Sequence, residues 1–211
     1  MSDFEYRPGT TCYEYVVASL PVLSQDWKAN PAINVEGIVN DIKEQCSRKD
    51  VAIIDLFLKG YEQESLTKEF YTDASKNENR FIKEFFAFDR LVRNCKVKYL
   101  NSSLGLPETE GLMVLDKEDA ANEETVSLIM EVLQKEDLLE RENALDALMW
   151  QHIDHLTSWD YFNMNTILGF LAKLKIIDRW LKLDEQKGRE MFRKLVGEVK
   201  GTFKGVEFND K

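Results

Sequence analysis

A chain of 211 residues, 44% of them apolar and 31% charged, carries enough apolar material for one generous domain or two small lobes, which excludes global disorder. A net charge of −10 excludes a polyanion such as DNA as partner of the whole molecule, and no nucleic acid is expected. Four prolines and ten glycines are too few for the turns of an all-β sandwich, and no apolar run approaches the ~20 residues of a membrane span.

The start, MSDFEYRPGT, has neither a basic region nor an apolar stretch of signal-peptide type, so a cytoplasmic protein is expected. Residues 1–10 read as frayed. The run TCYEYVVASL, Thr11–Leu20, suits a short strand or the first turns of a helix, since periodicity does not arbitrate so short a segment. Leu20–Asn34, with Pro21, Pro31, Asn30 and Asn34, reads as a loop holding a short turn.

Helical patterns follow. Val35–Gln45 is a modest one. Ser47 is placed to cap a second, VAIIDLFLKG, with Asp50 three residues on and Gly60 at its end. Asn77 or Asn79 then caps a longer helix through Tyr99, whose apolar stripe is Phe81, Phe85, Phe88, Leu91, Val92 and Cys95. The segment NSSLGLPETEGLMVLD, residues 101–116, is the clearest break, either a lobe boundary or a long connection.

Asp116 and Asp119 start a helix through Gln134 with Val126, Ile129, Met130 and Leu133 buried. Another, from about Glu136 to Leu156, uses Leu138, Leu139, Leu145, Leu148, Met149 and Ile153. Asn163 caps the most regular pattern, in which Ile167, Phe170, Leu171, Leu174, Ile177 and Leu181 share one face and Lys173, Lys175, Asp178, Arg179 and Lys182 the other. A last helix spans about Asp184–Lys200, burying Met191, Phe192, Leu195, Val196 and Val199. The fold class expected is all-α, with six to eight helices in an N-terminal lobe 1–105 and a C-terminal lobe 106–211, or one continuous domain.

The charge is uneven. Between Glu108 and Asp146 thirteen acidic side chains face only Lys117, Lys135 and Arg141, whereas Lys187–Lys204 holds six basic residues against Glu190 and Glu198. The middle segment could steer a basic protein surface, or be a solvated helical face. Candidate partner contacts are Glu123, Glu124 and Glu131 on the acidic segment and Lys173, Lys175 and Arg179 beyond it.

Chemistry-bearing constellations are sparse. His152 and His155 lie three apart, on one helix face, and would need carboxylates from another helix to hold a metal. The Glu-x-x-His pattern of di-iron bundles is absent, since Met149 precedes His152 by three. Cys12, Cys46 and Cys95 are odd in number and scattered, as reduced thiols are. Neither G-x-S-x-G, G-x-G-x-x-G nor a P-loop occurs, and Gly197, Gly201 and Gly205 have charged residues between them that exclude a bilayer GxxxG role. Trp150, Trp159, Trp180, Tyr161 and Phe162 read as core at the junction of the last three helices. No catalytic residue, cofactor or metal is expected, which points away from an enzyme.

Two segments carry a family likeness: YEYVVASLPVLS near the start and FNMNTILGFLAKLKIIDRWLKLDEQKGREMFRKLV near the end. They resemble a bacterial family without an assigned function whose members are similar to the C subunit (d in eukaryotes) of rotary V/A-type ATPases. The resemblance implies an all-helical, shortened C-type subunit with about two lobes. It would be a non-catalytic part of the central stalk on the cytoplasmic face of the membrane, seating the shaft on the rotor ring for ion transport. Its partners would be those ATPase subunits. The alternatives are a free-standing helical adaptor and a metal-dependent bundle enzyme centred on His152 and His155.

Overall fold

The computed structural model describes residues 13–30, 33–115 and 122–183, and among these every regular element is helical, so the fold is all-α as the spacing of apolar residues predicts. The helices are α1 (Glu14–Ser19), α2 (Val35–Gln45), α3 (Arg48–Lys59), α4 (Lys68–Lys76), α5 (Arg80–Leu104), α6 (Glu123–Leu133), α7 (Leu138–Thr157) and α8 (Met164–Leu181). Most begin under a side-chain oxygen that accepts an otherwise unsatisfied amide. Asn34, Ser47, Thr67, Asn79, Asn122, Asp137 and Asn163 all serve in this way.

The ambiguous segment before Pro21 is a helix, α1. It is tied down at the residue that precedes it, where the Tyr13 amide donates to the Phe162 carbonyl at 3.0 Å and the Tyr13 hydroxyl donates to Asp50. Burial, then the bond to Asp50, raises the Tyr13 phenol above its ordinary pKa. The following loop holds a 3-10 turn, Trp27–Ala29, organised by the buried Asn30, whose amide donates to the Ser24 and Asp26 carbonyls at 2.9 and 3.1 Å.

The long helix α5 organises the rest. It runs past the expected end at Tyr99 because nothing before Gly105 breaks it. Gly105 takes the left-handed conformation (φ 69°) and donates to the Asn101 and Ser102 carbonyls. The connection beyond it folds back along α5. Buried Asn101 donates to Pro107 and Glu110 carbonyls at 3.0 and 2.8 Å, and Asn94 exchanges two bonds with the Met113 backbone. Residues 105–115 are therefore a pinned connection, and Leu115 is buried in the core.

Two apolar clusters share α5. The larger joins Phe57, Phe81, Phe85 and Phe86 with Ile153, Leu156, Ile167, Leu168, Leu171 and Leu174. The smaller joins Val92 and Cys95 with Ile129, Leu133 and Leu145. Residues on both sides of position 105 build the larger cluster, so α8 packs into the N-terminal half of the chain.

Several expected burials differ. Leu138 and Leu139 are exposed, because they sit in the first turn of α7, ahead of the level at which Leu145 meets α5 and α6. Val126 and Met130 are half-buried beside fully buried Ile129. Leu181, in the last turn of α8, is exposed, while Leu168, Ala172 and Trp180 are buried: α8 has neighbours on more than one side, so its apolar arc is wider than a single stripe. The α6 helix starts under Asn122; Asp116 and Asp119 lie outside the described residues, as does the expected helix 184–200.

Candidate functional site: a braced hairpin and a charged cleft

Helices α7 and α8 form an antiparallel hairpin whose close approach depends on Gly169. A Cβ there would stand 2.7 Å from the Thr157 methyl and 3.4 Å from Ile153. Charged bridges span the hairpin at successive levels. Lys173 pairs with Asp154 and lies over the Trp150 ring, 4.9 Å from its centroid. One turn and a half further on, Arg179 pairs with Asp146, which also accepts from the Trp180 indole at 2.6 Å. Trp180 in turn stacks on Trp27, with centroids 6.0 Å apart.

Asp146 is where burial and pairing compete. Desolvation lifts its pKa above the ordinary carboxylate value, and Arg179 and the indole bond oppose that rise without cancelling it. The partly exposed Lys173–Asp154 pair is worth only ~0–1 kcal/mol, and desolvation of Asp146 offsets much of what Arg179 contributes, so these links fix alignment more than they add stability.

The tip of the hairpin is unlike its stem. Trp159, Tyr161 and Phe162 were expected in the core, yet Trp159 is 86% exposed and Tyr161 69%. The chain turns there from α7 to α8 outside the level at which Ile153, Leu156 and Ile167 close the core, and their rings are left at the surface.

Beside the hairpin stem lies a cleft of about 430 Å³. Its floor is Phe85 and Phe86 of α5, both buried, with Met149 of α7 and Ile176 of α8. Its rim is charged. Asp89 accepts from Arg93 at 2.8 Å and from the Tyr71 hydroxyl at 2.6 Å, Asp146 holds Arg179, and Asp178 holds Lys182 at 2.7 Å. Burial, then the Asp89 charge, raises the Tyr71 phenol.

Tyr61, just past the end of α3, leans its ring on Phe57 and Phe85 with its phenol in the field of Asp89, Asp146, Arg179 and Arg93. Its pKa is raised well above the ordinary value, chiefly through desolvation and then through the Asp89 charge, while the residue as a whole stays partly exposed. Among the described residues that hydroxyl has no hydrogen-bond partner, and Lys175 has neither counter-ion nor hydrogen bond.

Of the candidate contact residues, Glu123 and Glu124 are exposed in the first turn of α6 and Glu131 is exposed near its end. Lys173 and Arg179 are engaged within the chain, and Lys175 lines the cleft. Sequence reasoning singled out neither Tyr61 nor the Asp89–Arg93 pair. The signal available was a charged i,i+4 pair interrupting the aromatic face of α5.

His152 is half-buried and stacked on Phe88, with centroids 4.2 Å apart. Its Nε2 lies 3.4 Å from the Glu84 carbonyl, and burial lowers its pKa. His155 is exposed, and among the described residues no cluster of three or more His, Cys, Asp or Glu side chains is arranged to hold a metal.

A family model described as protein of unknown function (DUF2764) matches residues 62–202, two thirds of the chain. The chain belongs to the DUF2764 family. The matched span holds the hairpin and nearly all of the cleft, so both are built from the part of the sequence shared with DUF2764, with Tyr61 immediately before it. No curated protein and no solved structure matches the chain.

Proposed function

We propose that this DUF2764 member is a non-catalytic subunit of the central stalk of a V/A-type rotary ATPase, coupling the shaft to the membrane rotor ring. The supporting observation is the α7–α8 hairpin, aligned by Gly169 and by bridges from Asp154 and Asp146, with exposed aromatic rings at its tip. A part that passes torque needs stiff elements that do not shear and a contact face at their end. Two packed helices tied at several levels provide the first, and Trp159, Tyr161 and Phe162 the second.

The second helix of that hairpin, α8, lies in the sequence segment that resembles the C-subunit-like family. No helix among the described residues is long and apolar enough to cross a membrane, so the contact with the ring would pass through partner subunits on the cytoplasmic side.

The experiment is affinity purification from the native cell, followed by deletion. The stalk role requires co-purification of the ATPase subunits at fixed stoichiometry, and a deletion strain that hydrolyses ATP without pumping ions. Unchanged ion pumping in the deletion strain refutes it. Recovery of a different, stoichiometric partner would assign the chain to the adaptor role instead.

A further inference from the structure

The cleft beside the hairpin has the composition of a binding site for a small molecule. Volumes of about 300–1,000 Å³ with an apolar floor and a few polar groups at the edge are usual for such sites, and this one has about 430 Å³ over Phe85, Phe86, Met149 and Ile176. Its rim holds four cations, Arg93, Lys175, Arg179 and Lys182, against three carboxylates, Asp89, Asp146 and Asp178. Each carboxylate is bound to one cation, which leaves Lys175 as the single surplus charge of the rim among the described residues. The Tyr61 hydroxyl lines the same cleft and is likewise without a hydrogen-bond partner among the described residues.

We propose that the cleft binds a small monoanion, a carboxylate carried on an apolar body. Lys175 supplies the counter-charge, Tyr61 a hydrogen bond, and the aromatic floor receives the body. One surplus cation matches one negative charge. A nucleoside triphosphate would bring several further charges against Asp89, Asp146 and Asp178 and is disfavoured by the same count. The cleft touches the segment just past α3 together with α5, α7 and α8, so an occupant would tie the hairpin to the rest of the fold. This site stands whether or not the chain belongs to a rotary ATPase.

The test uses the full chain and defined probes, followed by calorimetry and by amide shift perturbation. Hexanoate and benzoate carry both charge and body, acetate the charge alone, hexanol the body alone, and inorganic phosphate and ATP carry multiple charges. Saturable binding of hexanoate or benzoate, at least about tenfold tighter than acetate, hexanol, phosphate or ATP, is expected, with shifts centred on Tyr61 and Lys175. Lys175→Gln should weaken it about tenfold or more while Lys175→Arg retains most of the affinity, and Tyr61→Phe should weaken it ~3–10-fold. Tyr61→Phe keeps the ring on Phe57 and Phe85, so an unchanged thermal melt separates loss of the donor from loss of the fold. No saturation by either probe, equal binding of acetate or ATP, or an affinity unmoved by Lys175→Gln would each overturn the proposal.

Discussion

Gly169→Ala sets two effects against each other at the closest point of the α7–α8 hairpin. Alanine in the middle of a helix is favoured over glycine by about 1 kcal/mol, which alone would stabilise α8. The new methyl, however, would stand 2.7 Å from the Thr157 Cγ2, a separation that real side chains do not adopt, between two helices whose neighbours are already packed. Overpacking of this kind costs about 1–3 kcal/mol, so the single variant should be less stable by about 1 kcal/mol net.

The deciding measurement is a double-mutant cycle with Thr157→Ser. That change deletes only the offending methyl and keeps the hydroxyl that donates to the Ile153 carbonyl at 3.0 Å, at a cost of ~0.8 kcal/mol for one CH₂-sized group. With Thr157 trimmed, the next atoms are Ile153 at 3.4 Å and Phe81 at 3.6 Å, ordinary contacts, and Gly169→Ala should now stabilise by up to about 1 kcal/mol. Chemical denaturation of the four proteins should give a coupling of about 1–3 kcal/mol. A Gly169→Ala variant that is stabilised in both backgrounds, with coupling below about 0.5 kcal/mol, would refute the close approach as the reason for the glycine.

Further expectations concern other links of the structure. Gly105→Ala has open space around it and differs only in backbone strain at φ 69°, so denaturation should show a loss of ~1 kcal/mol with unchanged slope. Trp159→Ala should leave stability within ~0.5 kcal/mol because the ring is exposed, and should weaken co-purification of partners if the hairpin tip is a contact. Burial lowers the folded-state pKa of His152 below its ordinary 6.5, so the unfolded chain binds the proton first as the pH falls. The contribution of His152 is therefore present above pH 6.5 and lost below it, and His152→Phe, which keeps a ring against Phe88, should flatten the stability–pH curve between that value and the carboxylate range.

Helix positions were legible where a cap and a breaker bracket a periodic run. Val35–Gln45 is bounded by Asn34, and the next helix runs from Ser47 to Gly60, because these residues act locally, through their own amides. Burial was less legible, since it depends on which helix lies opposite. Leu138 and Leu139 fit the apolar stripe of α7 but lie beyond its neighbours, and Trp159 and Tyr161 are apolar without having a core to enter. Phe86 escaped the single-stripe reading because α5 buries a second face against Phe70 and Gly60. The cleft was the least legible feature. Tyr61, Asp89, Asp146 and Lys175 come from four separate segments, and only the packing of α3, α5, α7 and α8 brings them together.

The fold also redistributes the charge that the sequence presents as one acidic block. Glu142 holds Lys96 at 2.9 Å, Asp146 holds Arg179, and Glu140 holds Lys135 at 2.6 Å, so α7 spends its acidic residues inside the molecule. Glu123, Glu124 and Glu131 of α6 are exposed and form no ion pair among the described residues. Lys173 and Arg179 are engaged with Asp154 and Asp146, so they are poor handles for an acidic partner. The six candidate contacts thus separate into three groups: α6 offers negative charge outward, Lys173 and Arg179 of the hairpin use their charge inward, and Lys175 lines the cleft with no counter-ion among the described residues. A basic partner surface would be steered to α6 with an on-rate that falls as salt rises, whereas docking through the aromatic tip of the hairpin would respond weakly to salt. Measuring the association rate with a purified partner at two ionic strengths decides between these faces. A rate unchanged by salt, and unchanged when Glu123, Glu124 and Glu131 are replaced by Gln, would leave the hairpin tip as the contact.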